Sequence, residues 1–345
     1  MDTLTERQQT LLGLVVRTYI EDGLAVGSKT LVDRYRLDYS SATVRNELGV
    51  LSDLGYLGQL HTSGGRIPSE KGYRYFVERI ITGFELPLSD RQMIEHQFYQ
   101  AQQDLEQWLR LAAAVLAHVS LGASFVTAPR PRFNTFKHVE LISTQGRLVL
   151  MVLVLSGGGV KQQMLTLATP LVQPRLSEAA ARLNAAFEGC NYEEIAARLS
   201  NLDDLEQDVA RLILDILRRS DIKTVTQIYR DGIPNILDNE GTRMAVRVLE
   251  QRSLLANVVD ELSAADQSGV QVIIGSEGRW EELKNCTIIL SRYGISDDLA
   301  GEVAVVGSTR MAYGRNISAV RFVADLMSGF VYEYLAKEPR PLEEE

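Results

Sequence analysis

Ser41, Thr43, Arg45 and Asn46 crowd into the start of the run SSATVRNELGVLSDLG at 40–55. Short hydroxyls bond phosphate oxygens, and Arg and Asn can form paired hydrogen bonds with guanine and adenine edges. Brought onto one surface, these side chains would read a nucleic acid, and they need a helix to present them. Val44, Leu48, Leu51 and Leu54 recur at steps of four, three and three, which is one face of an α-helix. Ser40 or Ser41 can cap its start and Gly55 can end it. Thr43, Arg45, Asn46, Glu47 and Ser52 then fall on or beside the other face. Taken alone, the same pattern also fits a capped amphipathic surface helix with no ligand.

The flanking elements narrow the choice. Thr5 or a neighbour can cap a helix running to about Asp22, with Leu11, Leu12, Val15, Val16, Tyr19 and Ile20 as its buried stripe and Gly23 as its stop. Ser28 can cap a second, shorter helix holding Leu31, Val32 and Tyr35. Downstream, Tyr56 to Leu60 and Arg66 to Pro68 suit hairpin strands around HTSGG, with Gly64 and Gly65 expected to supply positive φ at the turn. Arg66 would leave the hairpin tip within reach of a phosphate or a minor groove. Lys71 and Arg74 open the next helix, where they could touch a nucleic-acid backbone. Three helices and a hairpin, with the third helix reading, is the order of a winged helix-turn-helix over 1–85.

Other chemistry finds little support. His61, His96, His118 and His138 are scattered, with no HExxH, no GxSxG and no dinucleotide glycine fingerprint. The GGG at 157–159 lacks the Lys-Ser/Thr of a phosphate loop and suits a hairpin turn. We expect no catalytic residues, no metal and no cofactor, and not an enzyme. Glu277 and Arg310 lie near strand ends and could face a pocket, though a structural ion pair explains them as well. Cys190 and Cys286 share no CxxC spacing and read as reduced thiols of a cytoplasmic protein. No basic stretch followed by an apolar one suggests a signal peptide. LVLMVLVL at 148–155 is far shorter than the roughly 20 residues that span a bilayer, so no membrane is expected. The net charge is −9, and residues 1–85 hold ten Lys+Arg against eleven Asp+Glu, so charge alone does not point to nucleic acid.

A chain of 345 residues implies more than one domain. FELPLSD at 84–90 marks the first boundary, and a single long helix is expected from 90 to about 122, within a connector over 86–125. Ile94, Phe98, Ala101, Leu105, Trp108, Ala112, Val115 and Val119 give it a seven-residue repeat. It could pack on a partner subunit or the next domain, or lie on its own core. Over 126–174, HVELIST and LVLMVLVL read as strands, the second apolar on both faces and so expected to be central and covered. Residues 175–255 turn mostly helical and read as an insertion, with Val209, Leu212, Ile213, Ile216 and Leu217 as a stripe that must be buried. A strand and turn are expected within it at 227–237. Strands return in 256–345 as VQVIIG, CTIILSRYG and EVAVVG, closed by a helix from about Ile317 to Leu335. The fold class is α+β and multidomain.

Several runs are specific enough to identify a family. LTERQ at 4–8, VGSKTL at 26–31, SSATVRNEL at 40–48, HTSGGRIPSEKGYRYFV at 61–77, FKHVEL at 136–141, IIGSE at 273–277 and GEVAVVGSTRMAYGRNIS at 301–318 resemble the bacterial heat-inducible transcription repressor family HrcA. The resemblance implies a winged helix-turn-helix, a GAF-like domain at 126–174 and 256–345, and an inserted dimerisation domain between its parts. It implies a homodimer that binds double-stranded DNA at an inverted-repeat operator, CIRCE, before chaperone operons of the groE and dnaK class. It also implies that a GroEL-type chaperonin maintains activity, which is lost on heat stress. The expected DNA-binding residues are Ser41, Thr43, Arg45, Asn46, Arg66, Lys71 and Arg74. A ligand-sensing GAF-type regulator and a winged-helix protein-interaction module are the alternatives.

Overall fold

The computed structural model describes the chain apart from residues 1–3, 60–63, 82, 102–103, 131–133, 157–158, 223–226, 238–241, 252–253, 256, 260, 262–268, 276–279, 296–298 and 336–345. Glu277, named above as a candidate, lies outside the described residues. Two units divide the chain. One holds residues 1–128, 227–293 and 301–330, and the other is built chiefly from 129–226.

The first unit begins with α1 (Glu6–Asp22), α2 (Ser28–Tyr35) and α3 (Ser41–Asp53). Thr5 and Gln8 form a reciprocal capping box at the head of α1, and Gly23 ends it at φ 70°. Leu11, Leu12, Val15 and Val16 are buried with Leu31, Val44, Leu48 and Leu51 as one helical core. Each such side chain contributes roughly 1.5–3 kcal/mol on burial. Strands β1 (Leu57–Gln59) and β2 (Arg66–Pro68) pair antiparallel, with Gly58 opposite Ile67. Then α4 (Glu70–Tyr75) runs into a wider π-turn at Phe76–Ile80.

Gly65 has a different role from the one expected. Its φ is not positive; a Cβ there would fall 2.6 Å from the Ala25 carbonyl carbon. The glycine is required because β2 runs against the α1–α2 loop, where Val26 and Arg66 exchange two backbone hydrogen bonds of 2.8 Å.

The single long helix is also corrected. Two helices occupy the region, α5 (Leu88–Gln100) and α6 (Leu105–Ser120). Ala101 turns extended, and Asp104 restarts the chain by accepting the Glu106 N–H at 3.1 Å. The seven-residue spacing crosses a break that the Asp cap encodes. Phe98 of α5 and Trp108 of α6 both stack on Phe330, at 5.7 and 4.6 Å between centroids.

The large sheet of this unit has the order β7-β3-β10-β9-β8, from β3 (Ala123–Thr127), β7 (Ile228–Asp231), β8 (Val270–Ile274), β9 (Cys286–Ile295) and β10 (Leu299–Ser308). The helix Tyr313–Leu335 follows it. β9 and β10 are buried along nearly their whole length. The segment at 227–237, expected inside the insertion, instead supplies β7, which pairs antiparallel with β3.

The second unit holds β4 (Phe136–Gln145), β5 (Leu148–Leu155) and β6 (Val160–Thr166) in a separate antiparallel sheet, with α7 (Gln173–Phe187), α8 (Tyr192–Arg198) and α9 (Asp204–Ile222). This second unit therefore starts before β4, about 45 residues earlier than the boundary expected at 175. β5 is central as expected but covered on one face only. Val149, Met151, Leu153 and Leu155 are buried, and the residues between them stay partly open. Val209, Ile213 and Leu217 of α9 are buried in this unit's own core.

Candidate nucleic-acid interface

Ser40, and not Ser41, is the cap of α3. Its Oγ accepts the Thr43 N–H at 3.1 Å and shares a hydrogen bond with Thr43 Oγ1 at 2.9 Å. Ser41 is freed for another task, pairing with Ser28 Oγ at 3.0 Å. Ser28 does not cap α2, whose N-cap is Gly27 with no side-chain bond. The Ser28–Ser41 pair brings the first turns of α2 and α3 together. Two helix N-termini at one place concentrate unpaired N–H groups and positive dipole ends, a natural seat for a phosphate.

The rest of α3 is sorted by its partners. Glu47 is tied back to α1, ion-paired with Arg7 at 3.5 Å and accepting from Gln8 Nε2 at 3.1 Å. Arg7 also covers the Tyr39 ring at 4.7 Å. Arg45 and Asn46 are exposed, and among the described residues neither side chain has a hydrogen-bond or ion-pair partner. Both stand on a helix whose other face is fixed by Val44, Leu48 and Leu51.

The remaining expected residues are placed less uniformly. Arg66 is half-buried on β2, held through its backbone to Val26, with Nε buried and without a partner among the described residues. Lys71 donates to the Leu54 carbonyl at 2.8 Å and lies 4.3 Å from the Tyr56 ring centroid. It closes the far end of α3, about 20 Å of helix away from Ser41. Arg74 donates through Nη2 to the Val272 carbonyl at 2.6 Å and sits 3.8 Å from Glu78. The structure thus gathers Ser41, Thr43, Arg45 and Asn46 and gives Lys71 and Arg74 intramolecular work.

The near-zero charge count is resolved locally. Arg34 takes up Glu21 and Asp22 at 2.6 Å each, and Arg7 takes up Glu47. Lys29 at the head of α2 is exposed, as is Arg45, so free positive charge remains beside the paired helix ends. Lys29 was not singled out from the sequence, because only the Ser28–Ser41 bond shows that α2 begins beside α3. Among the described residues no three His, Cys, Asp or Glu side chains are placed to hold a metal, and no helix is long and apolar enough to cross a membrane.

Comparison with known proteins agrees over nearly the whole chain. Residues 106–317 match the family model described as the HrcA protein C-terminal domain. A heat-inducible transcription repressor HrcA from Roseiflexus castenholzii is 40% identical over 344 residues, covering 96% of this chain and 95% of that one. Its counterpart from Chloroflexus aggregans is 38% identical, covering 99% and 96%, and one from Dehalococcoides mccartyi 36% identical, covering 97% and 98%. A crystal structure of a hypothetical protein at 2.2 Å resolution superposes with a TM-score of 0.56 at 25% identity, covering 96% of this chain and 99% of that one. With relatives this similar along its full span, the chain belongs to the HrcA family of heat-inducible transcription repressors.

Proposed function

We propose that this chain is a sequence-specific DNA-binding repressor of heat-shock chaperone operons, acting as a homodimer on the inverted-repeat CIRCE operator. Its N-terminal segment works as a winged helix-turn-helix. α3 enters the major groove, Arg45 and Asn46 read base edges, and the paired starts of α2 and α3 hold phosphate, with Lys29 beside them. Arg66 of the hairpin approaches the backbone or minor groove. The observation that carries this reading is the exposure of Arg45 and Asn46, without side-chain partners among the described residues, on a helix whose Ser41, Thr43, Glu47 and Ser52 side chains are all engaged. The β7-β3-β10-β9-β8 sheet with its helices serves as the GAF-like core. The dimer contact is the outer face of the second unit's sheet, where Ile142, Leu148, Val160 and Met164 remain 40–55% exposed. The resemblance supplies the regulation: a GroEL-type chaperonin keeps the repressor active, and heat-damaged proteins compete for it.

The test is binding to the chaperone-operon inverted repeat against a scrambled duplex of equal length, at two salt concentrations. Selective binding is expected. Arg45→Ala should remove about 1–3 kcal/mol of specific binding if it reads a guanine. A loss of equal size on every duplex would make Arg45 a phosphate contact. Equal binding to both duplexes by the unaltered protein would overturn the reading.

A further inference from the structure

A second set of N-terminal residues meets the C-terminal half of the same unit. The guanidinium of Arg310 lies 5.5 Å from the Tyr19 ring centroid. It presses so closely on Gly23 that a Cβ there would fall 2.5 Å from both Nη atoms. This is the end of α1, which finishes on Glu21 and Asp22 and has no base in its own last turn. The negative end of the helix dipole is therefore met by a cation from a distant part of the chain, and the planar guanidinium can stack where an ammonium could not. Arg74 makes the second tie, from α4 to the Val272 carbonyl on β8, the edge of the large sheet. Between them Tyr73 and Tyr313 lie 5.6 Å apart. Burial, then the neighbouring Tyr313, pushes the Tyr73 phenol well above its ordinary range, as expected for a dry interface.

Phe84 closes the set. It abuts Gly314, where a Cβ would fall 2.9 Å from its ring, and its carbonyl accepts Ser318 Oγ at 2.6 Å. Arg310, Tyr313, Gly314 and Ser318 all belong to the run GSTRMAYGRNIS, and none of them is on the reading face of α3. Since α1 and α3 share one core, fixing α1 and α4 to the sheet also fixes the direction in which α3 is carried.

We infer that Arg310 and Arg74 are positioning residues, which lock the DNA-reading segment at one angle to the C-terminal sheet and so set the half-site spacing that the dimer accepts. This rests on the dimeric DNA-binding reading above. The full chain and the Arg310→Ala/Arg74→Ala double variant are titrated against three duplexes: the native inverted repeat, the same repeat with its spacer lengthened by five base pairs, and a single half-site. Half a helical turn puts the second half-site on the wrong side of the duplex, so the unaltered protein should prefer the native spacing at least tenfold. In the double variant the preference should shrink to threefold or less, with half-site binding within twofold of the unaltered protein. Tyr19→Leu, which keeps an apolar side chain and removes the ring face, should shift the preference the same way by about threefold and provides the test if the double variant does not fold. An unchanged spacing preference overturns the inference, as does a half-site affinity that falls in step with the operator affinity, since that marks damage to the reading segment itself. Failure of the unaltered protein to select the native repeat over scrambled DNA removes the underlying function instead.

Discussion

The two larger sheets of this chain are finished to different degrees. In the large sheet, β9 and β10 are buried at nearly every position, odd and even alike. In the small sheet, β5 alternates strictly between buried and partly open residues, and its open face carries Ile142 from β4 and Met164 from β6 on either side of Leu150. Its edges differ too. Asn184 of α7 bonds the Val139 N–H and carbonyl, and Gln173 bonds Leu141 and Ser143, so the β4 edge is capped by side-chain amides. A sheet covered on both faces is complete within one chain. A sheet with one dry face and one open apolar face is stable through the first and available to associate through the second.

Three experiments would break or sharpen that contrast. Phe136→Ala empties the dry face, where Phe136 is fully buried and packs edge-on to Phe187 at 5.9 Å. It should cost about 3–5 kcal/mol in urea unfolding; a cost under 1 kcal/mol would mean that the second unit has little core of its own. Ile142→Asp with Met164→Asp charges the open face. It should weaken the proposed dimer at least tenfold in sedimentation equilibrium and leave the far-ultraviolet spectrum unchanged. An unaltered dimer would place the subunit contact elsewhere.

The third and smallest effect belongs to the covered sheet. Burial pushes the Cys286 thiol on β9 up to about 12 from 9.0. The unfolded thiol ionises first, so this contribution to stability is intact below pH 9 and is lost as pH rises from 9 toward 12. Tyr73 and Tyr293, also raised by burial, add to the decline above their ordinary value of 10.0. Cys286→Ala should make the alkaline fall in unfolding midpoint shallower, each protein's fall being measured from its own midpoint at pH 7. An identical fall in both proteins would show that Cys286 is reached by solvent.

What was legible in the sequence was whatever a few neighbouring residues decide. The face of α3, the stop at Gly23, the hairpin strands and the group Ser41, Thr43, Arg45 and Asn46 follow from caps and spacing within a dozen residues. What was not legible depended on partners far along the chain. The strands at 136–166 carry no mark of which sheet they join, since antiparallel pairing needs only an alternating pattern and a turn. Lys71 and Arg74 read as free bases because their acceptors, the Leu54 and Val272 carbonyls, are backbone atoms that no side-chain pattern reveals. Arg310 read as a strand-end charge because Gly23, which it covers, is 287 positions earlier. Two misses were local: Ser28 reads as the cap of α2 but bonds Ser41 instead, and the unbroken heptad hides the cap at Asp104 that separates α5 from α6.

The pairing of β3 with β10 bears on how the chain is made. Val126 pairs with Val303, 177 residues later. At synthesis rates of roughly 5–20 residues per second, β3 waits about 10–35 s for that neighbour. Throughout that interval β3, a strand buried at every position in the folded chain, lacks the neighbour on its β10 side. β7 comes sooner but covers only one side of β3, and the strand that ends the wait is nearly the last to leave the ribosome. Anything that shields that edge in the meantime should raise the yield of folded protein from the same message.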